Sequence, residues 1–373
     1  MTTQLTKPRA ETAPAPARTM PWTVVVALVL LVSLVFATAL GPASLPGTSA
    51  AAGPITAGDI LASAWHHLTS WLADRGLGVE VSPNPLSPVR DAIIWAGRMP
   101  RALTAVAVGA GLAVCGVVLQ AVTRNGLADP YLLGVSSGAA VGAVAVLILG
   151  WALPLPIAAF IGAMGALATT LALAGWGGQL QASRVVLAGI AVAQACSAAV
   201  ALIIFTTAQG DSYRNILGWL MGTLGAARWS SVLIAGIAVV VIGGVLLASG
   251  RTLDAFAFGD TSAMSLGIDV TGTRWLLFGL TALLTGALVS VSGAIGFVGL
   301  TVPHLVRLLL GPGRGGNGPL LRTSAAAGAV FLLWADAIAR SAFAPLDVPV
   351  GVLTALIGAP VFAIVLLRSR RSA

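Results

Sequence analysis

The chain has 373 residues, of which 57% are hydrophobic and only 9% are charged. A soluble domain carries about 25% charged residues, so this composition excludes that class and indicates a polytopic membrane protein. The net charge of +8 does not indicate nucleic-acid binding, because the basic residues are scattered between apolar segments and form no patch. Cys115 and Cys196 lie in apolar segments without metal-ligand spacing and are predicted to be packing residues.

In chain order, residues 1–20 are rich in Pro, Ala and Thr and are predicted to form a disordered basic tail on the cytoplasmic side. Residues 21–373 are predicted to be a single transmembrane domain with polar interruptions at 43–100 and 250–273. A helix needs about 20 apolar residues to cross the bilayer. An all-α protein with ten membrane helices is therefore predicted, with helices at about 22–42, 102–122, 131–151, 155–175, 184–207, 230–249, 274–292, 296–310, 320–341 and 350–367.

An even number of membrane helices places both termini on the same side of the membrane. Most of the 20 Lys and Arg residues fall in segments that share that side, and the positive-inside rule assigns such segments to the cytoplasm. Both termini and the loop at 250–273 are therefore predicted to be cytoplasmic. The polar stretch at 43–100, which contains Arg98 and ends next to Arg101, is predicted to be an external loop.

The loop at 250–273 interrupts the apolar sequence with three carboxylates, Asp254, Asp260 and Asp269. Asp260 is predicted to be the N-cap of a short helix over 261–266, and Gly267 to take the left-handed conformation that ends it. The apolar residues of this helix are Ala263, Met264 and Leu266. Two alternatives are open for them: they pack back on the membrane helices, or they form a docking surface for a soluble partner.

Other polar features of the sequence favour structural roles over catalysis. The G-x-S-x-G pattern at 134–138 is interpreted as a small-residue face for helix packing, because no histidine with an acidic partner accompanies it. His304 could be a metal ligand, but as a lone histidine in a helix it is predicted to be hydrogen-bonded in a structural role. Asp336 and Arg340 are spaced to pair on one helix face, either as a simple salt bridge or as a proton relay. No metal or cofactor site is predicted.

Seven segments in order carry a family resemblance: RMPR at 98–101, LQAVTRNGLADPYLLGVSSGAA at 119–140, LAGIAV at 187–192, WLMGTLG at 219–225, GDTSAMSLGI at 259–268, GFVGLTVPHLVR at 296–307 and VPVGVLTALIGAP at 348–360. Together they resemble the FecCD-type permease family, the membrane subunits of ABC importers for iron-siderophores, haem and cobalamin. The chain departs from the family pattern at Gly126, where Pro is usual, and at Asp347, where Glu is common.

The resemblance implies a type II ABC importer permease fold in a bacterial cell membrane. It also implies a homodimer or heterodimer of permease subunits, two cytoplasmic ATPase subunits and an external substrate-binding protein. By this resemblance, the residues expected to couple the permease to the ATPase are Gly259, Asp260, Ala263, Leu266 and Gly267. By the same resemblance, the residues expected to dock the binding protein are Arg98, Arg101 and Arg340. They would act as exposed rim charges that orient the partner. The alternative is that these arginines anchor the chain at the membrane interface.

The sequence also indicates that ATP hydrolysis, if it drives transport, requires another chain. A Walker A loop needs a lysine, and the only lysine is Lys7 in the basic tail. The chain itself is therefore predicted not to be an enzyme. The predicted cargo is a ferric siderophore, with haem or cobalamin as alternatives. In a different class, the chain would be an ion-coupled secondary transporter with Asp336 as the coupling group.

Overall fold

The computed structural model describes residues 20–40, 55–176, 181–207, 211–311, 316–343 and 346–369, and these residues form helices without strands. In chain order the α-helices are α1 (Met20–Ala39), α2 (Ala57–Asp74), α3 (Pro88–Ala92), α4 (Met99–Val122), α5 (Val135–Leu147), α6 (Leu155–Gly175), α7 (Ala182–Thr207), α8 (Asp211–Leu220), α9 (Trp229–Ala238), α10 (Gly244–Ala248), α11 (Gly250–Ala257), α12 (Asp260–Ser265), α13 (Val270–Ser292), α14 (Val298–Leu310), α15 (Asn317–Ser341) and α16 (Val350–Ser369). The predicted tail lies outside the described residues, apart from Met20.

Six helical segments are long and apolar enough to cross a membrane: Pro88–Val122, Leu155–Gly175, Ala182–Thr207, Trp229–Ala248, Val270–Ser292 and Asn317–Ser341. Shorter apolar helices occur at Val25–Ala39, Val135–Leu147, Val298–Leu310 and Val350–Ile364. These segments coincide with the predicted apolar runs and establish a helical membrane protein. The count of ten crossings and the side on which the termini lie stay predictions.

The polar stretch at 43–100 is more helical than the sequence analysis expected. Its described part contains α2, and from Pro88 the chain is continuously helical into α4 through a π-helical segment, Ile93–Arg98. Pro100 cannot donate a backbone hydrogen bond, and its ring would clash with the carbonyl one turn earlier in a regular α-helix. The wider π turn, in which Met99 N donates to Ile94 O, lies where that clash would occur. The predicted start of the second membrane helix at 102 is therefore wrong.

Helix α4 lies at the centre of the bundle, in contact with α9, α13, α14 and α15. Most of its residues are buried, which explains why it is apolar on all sides. Its contacts with α14 and α15 depend on facing glycines: a Cβ at Gly109 would overlap the carbonyl of Gly328, and one at Gly116 would overlap that of Gly299. Small residues of this kind allow membrane helices to approach closely.

The predicted small-residue face near 134–142 is confirmed. Gly138 packs against Gly162 of α6, and Gly142 packs against the backbone at Ala158. Gly134 has a positive φ of 76° and separates the 3₁₀ turn Pro130–Leu133 from α5. The predicted helix at 131–151 is therefore a 3₁₀ turn followed by a shorter α-helix, because Gly134 interrupts the α-helical hydrogen-bond pattern.

Candidate functional site

The sequence-predicted site residues lie at the two ends of α4. Its 24 residues correspond to about 36 Å at 1.5 Å per residue. Arg101 lies in its first turn, and Arg124 follows its last residue by two positions. The ATPase-coupling candidates cluster near Arg124, and the docking arginines cluster around Arg101.

At the Arg124 end, α11 and α12 form a compact helical pair joined by Phe258 and Gly259. Gly259 has a φ of 93° and occupies the N-cap position of α12. The prediction that Asp260 is the N-cap is therefore wrong by one residue. Asp260 is instead the first residue of α12, and its Oδ1 lies 2.7 Å from Arg274 Nη2 and 3.9 Å from Arg124 Nη2. This carboxylate joins α12 to the start of α13 and to the end of α4.

The other two carboxylates of this loop cap neighbouring helices. Asp254 accepts hydrogen bonds from Asn317 N at 2.6 Å and from Asn317 Nδ2 at 2.9 Å, at the start of α15. Asp269 accepts one from Gly272 N at 3.1 Å and is the N-cap of α13. An acceptor at a helix N-terminus satisfies amides that have no partner within the helix. All three loop carboxylates therefore have partners inside the chain.

The apolar residues of this loop divide between core and surface. Ala263 is fully buried, whereas Phe258, Met264 and Leu266 are between 57% and 77% exposed; we call these three residues the α12 surface. Gly267 has a φ of 81°, as predicted for the residue that ends this helix. Ala263 therefore packs inward, as the first alternative predicts, whereas the α12 surface is exposed in this chain and its docking role stays a prediction.

The sequence analysis did not single out Phe258. It follows Phe256, which is buried, by two positions. Residues two apart on a helix point about 200° away from each other, so only one of the pair can face the core. This two-residue spacing is the sequence feature that predicts one exposed phenylalanine in the pair.

At the other end of α4, the arginines form a buried cluster with two carboxylates. Arg101 lies 2.9 Å from Asp336 on α15 and 2.9 Å from Asp347, which precedes α16. Arg340 also approaches Asp336, at 3.8 Å, so the predicted pair on α15 is present. The closer partner of Asp336 is nevertheless Arg101. We call Arg98, Arg101, Arg340, Asp336 and Asp347 the arginine cluster.

Two arginines of the cluster hold the end of α1. Arg98 Nη1 donates to Thr38 O at 3.2 Å and to Ala39 O at 3.0 Å, and Arg340 Nη2 donates to Ala37 O. The last carbonyls of a helix lack partners within the helix and carry partial negative charge. These guanidinium groups satisfy them and fix α1 against α4 and α15.

The expectation that these arginines are exposed rim charges is wrong. Arg98 and Arg340 are 7% and 8% exposed, and the Arg101 side chain is 12% exposed. The prediction failed because their partners are distant in sequence. A guanidinium group that is removed from water needs an acceptor, and only the folded chain brings α1 and Asp336 to it.

His304 on α14 also differs from its prediction. Its Nδ1 atom is buried and lacks a hydrogen-bond partner among the described residues, so that atom does not make the expected bond. No group of three or more His, Cys, Asp or Glu residues that could hold a metal ion occurs in the part of the chain that was described.

Comparison with known proteins identifies the family. The sequence profile of the FecCD transport family matches residues 29–368. The chain belongs to the FecCD transport family. This confirms the resemblance drawn from the seven sequence segments, and it extends the match into α1, which the segments did not cover.

Curated FecCD relatives are named as import permeases. The chain is 43% identical over 280 residues to the cobalamin import system permease protein BtuC of Halobacterium salinarum, covering 74% of each protein. It is 41% identical over 286 residues to the hemin transport system permease protein HmuU of Yersinia pestis, covering 74% of this chain and 84% of that one. Membership and these relatives make the chain an ABC importer permease.

The fold agrees with a solved structure described as an inward-facing conformation of a metal-chelate type ABC transporter. The TM-score is 0.75 at 28% identity, and the match covers 94% of this chain and 99% of the other. The apolar helices and the family together indicate a multi-pass membrane protein with an ABC permease architecture.

Proposed function

We propose that this FecCD permease carries an intact metal chelate across a bacterial cell membrane, driven by a separate ATPase. A ferric siderophore is the proposed cargo; haem and cobalamin are the alternatives within the same chemical class. The relatives named for cobalamin and haem support this class, because both molecules are bulky ligands that enclose a metal.

The observation that carries the proposal is an apolar groove along α16. It has a volume of about 480 Å³ and is lined by Val352, Ala355, Leu356, Ala359 and Pro360. These side chains offer no ligands to a metal ion, which in proteins is bound by oxygen, nitrogen or sulfur atoms. A metal that passes along this surface must therefore bring its own ligands, as it does in a chelate.

The proposed pathway lies between α16 and a second permease subunit, which is the same chain or a related one. An apolar groove on the surface of one subunit becomes enclosed when a partner covers it. Small and apolar side chains then line the path, so that a large cargo is neither ligated nor held tightly. Release requires weak contacts of this kind, because binding energy on the path slows exit.

The α12 surface is the proposed contact for the cytoplasmic ATPase subunits. Phe258, Met264 and Leu266 provide an exposed apolar patch on the loop that the sequence assigned to the cytoplasm. The conformation of this loop depends on Gly259, Asp260 and Gly267, and the buried side chain of Ala263 packs it against the bundle. Movement of the ATPase would reach the membrane helices through Asp260, which contacts both Arg274 and Arg124.

For the external binding protein, we propose Arg101 as the docking contact within the arginine cluster. Its partner Asp347 is half-exposed, so a carboxylate of the binding protein could replace Asp347 on the guanidinium group. Arg98 and Arg340 would support this contact by fixing α1 and α15 around it.

The test is uptake into proteoliposomes that contain this permease, its ATPase and its binding protein. The vesicles are supplied in parallel with a radiolabelled ferric siderophore, haem or cobalamin, with and without internal ATP. ATP-dependent accumulation of the siderophore supports the proposal. Accumulation of haem or cobalamin alone would select an alternative cargo and reject the siderophore.

A second arm tests the other class of transporter. Vesicles with the permease alone receive a proton gradient and no ATP. Accumulation under these conditions would identify a secondary transporter and would reject the ABC mechanism. We expect none, because Asp336 is engaged by Arg101 and is 1% exposed.

A further inference from the structure

Helix α2 presents a stripe of uncovered apolar side chains. Leu61, Trp65, Leu68 and Trp71 recur at intervals of three or four residues, which places them along one side of a helix. They are between 46% and 58% exposed. We call them the α2 stripe. The buried residues of α2, Ile60, Ser63 and Thr69, hold the helix against the rest of the chain.

Hydrogen bonds fix the orientation of α2, so the α2 stripe faces a defined direction relative to the other helices. Ser63 Oγ donates to Asp91 Oδ1 at 2.6 Å and accepts from Trp95 Nε1 at 2.8 Å. His67 Nε2 lies 2.9 Å from the other oxygen of Asp91. These bonds join the middle of α2 to α3 and to the π-helical segment before α4. Helix α2 also contacts α1.

One further hydrogen bond connects this region to the start of an apolar membrane segment. Trp229 Nε1 donates to Trp95 O at 2.9 Å, and Trp229 is the first residue of the apolar segment Trp229–Ala248. Trp95 therefore connects the beginning of a membrane-spanning segment to Ser63 of α2. These two bonds place the middle of α2 beside the residue at which that apolar segment begins. Tryptophan concentrates at the ends of membrane-spanning segments.

From this placement we infer that α2 lies along the membrane–water interface, with the α2 stripe inserted among lipids. The stripe contains two tryptophans and two leucines and no charged residue, which suits the boundary between headgroups and acyl chains. Arg75 suits a lipid partner as well. Its guanidinium carbon lies 3.8 Å from the centre of the Trp71 ring, so a cation lies beside the apolar stripe, as is expected where a helix meets lipid headgroups.

The inference assigns α2 a mechanical role as well. Arg98 ties the end of α1 to the start of α4, and α2 is tied to the same region through Trp95 and Asp91. A lipid-anchored α2 would hold this end of the bundle at a fixed depth while other helices move during transport.

The test measures the depth of individual α2 positions in the full-length chain in lipid nanodiscs. Cys115 and Cys196 are replaced by Ala, and a single nitroxide-labelled cysteine is introduced by Leu68→Cys. The matched control is Asp74→Cys, which is also exposed but lies about 120° around the helix from Leu68 at 3.6 residues per turn. Collision of the label with oxygen, which dissolves in lipid, is compared with collision with a water-soluble nickel chelate.

We expect the label at 68 to collide several-fold more with oxygen than with the nickel chelate, and the label at 74 to show the reverse. Equal exposure of both labels to nickel would overturn the inference. So would a label at 68 that is shielded only after the binding protein is added, or one that shows spin–spin coupling to a second copy. Those two results would assign the stripe to a protein partner.

A second measurement keeps the native cysteines. Intrinsic fluorescence is compared in nanodiscs of brominated and unbrominated phosphatidylcholine, before and after Trp65→Phe. Bromine quenches tryptophans that touch the acyl chains, so the emission removed by this substitution should be strongly quenched. Trp219→Phe removes a buried tryptophan and serves as the control. Equal quenching of the two emissions would contradict the inference.

Discussion

The two ends of α4 differ in which side chains they bury: charged groups are buried at one end, and large apolar groups are exposed at the other. At the arginine cluster, the guanidinium groups and Asp336 are buried, and their bonds join α1, α4 and α15. At the other end, the loop carboxylates cap or connect helices near the solvent, and the large apolar side chains of the α12 surface are exposed. The first arrangement is typical of a structural junction, and the second leaves a surface for a partner to cover.

This difference indicates where each kind of substitution should act. Changing a buried charge of the arginine cluster removes one partner of a buried pair and should mainly affect folding. Changing an apolar residue of the α12 surface should spare folding and affect function. The following predictions test this contrast, in decreasing order of their effect on the free energy of unfolding.

The largest effect is expected for Asp336→Asn. It leaves Arg101 and Arg340 in a buried site with one negative charge fewer, and breaking a buried ion pair costs about 3–5 kcal/mol. The matched variant is Asp347→Asn, because Asp347 also pairs with Arg101 but is 51% exposed; it should cost at most about 1 kcal/mol. Thermal unfolding in detergent measures both. Equal losses would mean that burial does not distinguish the two carboxylates.

The second effect concerns the packing that connects the two ends. A Cβ at Gly109 would overlap the backbone of Gly328, so Gly109→Ala must push α4 and α15 apart. Overpacking of this kind costs about 1–3 kcal/mol. In Gly279→Ala on α13 the added Cβ meets no atom within 4 Å, and alanine favours the helix by up to about 1 kcal/mol. Apparent melting temperatures should therefore shift in opposite directions, and a shared direction would contradict the predicted clash.

A smaller effect is expected at the start of α2. Thr56 and Asp59 form a capping box, in which Thr56 N donates to Asp59 Oδ2 at 2.8 Å and Asp59 N donates to Thr56 Oγ1 at 3.2 Å. Asp59→Asn should destabilise α2 by about 1 kcal/mol. Amide hydrogen exchange in α2 should then be faster. Asp74→Asn, at the other end of α2, should leave the exchange unchanged.

The same cap gives a pH dependence. Hydrogen bonds from the Thr56 backbone and hydroxyl hold the pKa of Asp59 below its usual value. A lowered carboxyl pKa contributes stability that is present above the unfolded value and is lost as the pH falls through the folded pKa. The protection factors of the α2 amides, which remove the pH dependence of the intrinsic exchange rate, should therefore decrease at acidic pH in the unmodified protein, and this decrease should be weaker in Asp59→Asn.

The smallest effect on stability, and a large one on function, is expected for Leu266→Asp. Its side chain is exposed, so the folded state loses little, whereas an apolar anchor at an interface contributes about 2 kcal/mol or more to binding. ATP-driven uptake should fall while the melting temperature stays constant. Ser265→Asp adds the same charge beside it without removing an apolar group, and it should retain most uptake. A similar loss in both variants would indicate a charge effect.

Charge-reversal variants at the two ends of α4 would be less specific than these substitutions. Asp260→Lys would remove the partner of Arg274 and Arg124 and place like charges together, so lost transport could reflect a distorted loop. Arg98→Glu would remove the hydrogen bonds that hold the end of α1, so a loss of binding could likewise reflect a distorted fold. Substitutions at exposed positions such as Leu266 test docking without disturbing the fold.

Much of this organisation was already present in the sequence. The charge content and apolar runs determined a helical membrane protein, and seven ordered segments determined the family. The turn at Gly267 followed from local chemistry, because a residue with positive φ ends a helix most easily when it is glycine. Each of these inferences depends on residues that are close together in the chain.

The tertiary structure decided which charged and apolar groups are free to meet a partner. Arg98 bonds to a carbonyl 60 positions away, and Arg101 bonds to a carboxylate 235 positions away. Local spacing contains no information about contacts of that range. The arginines that stood out in the sequence therefore proved to be buried, and only the structure showed which apolar residues of α12 and α2 stay exposed.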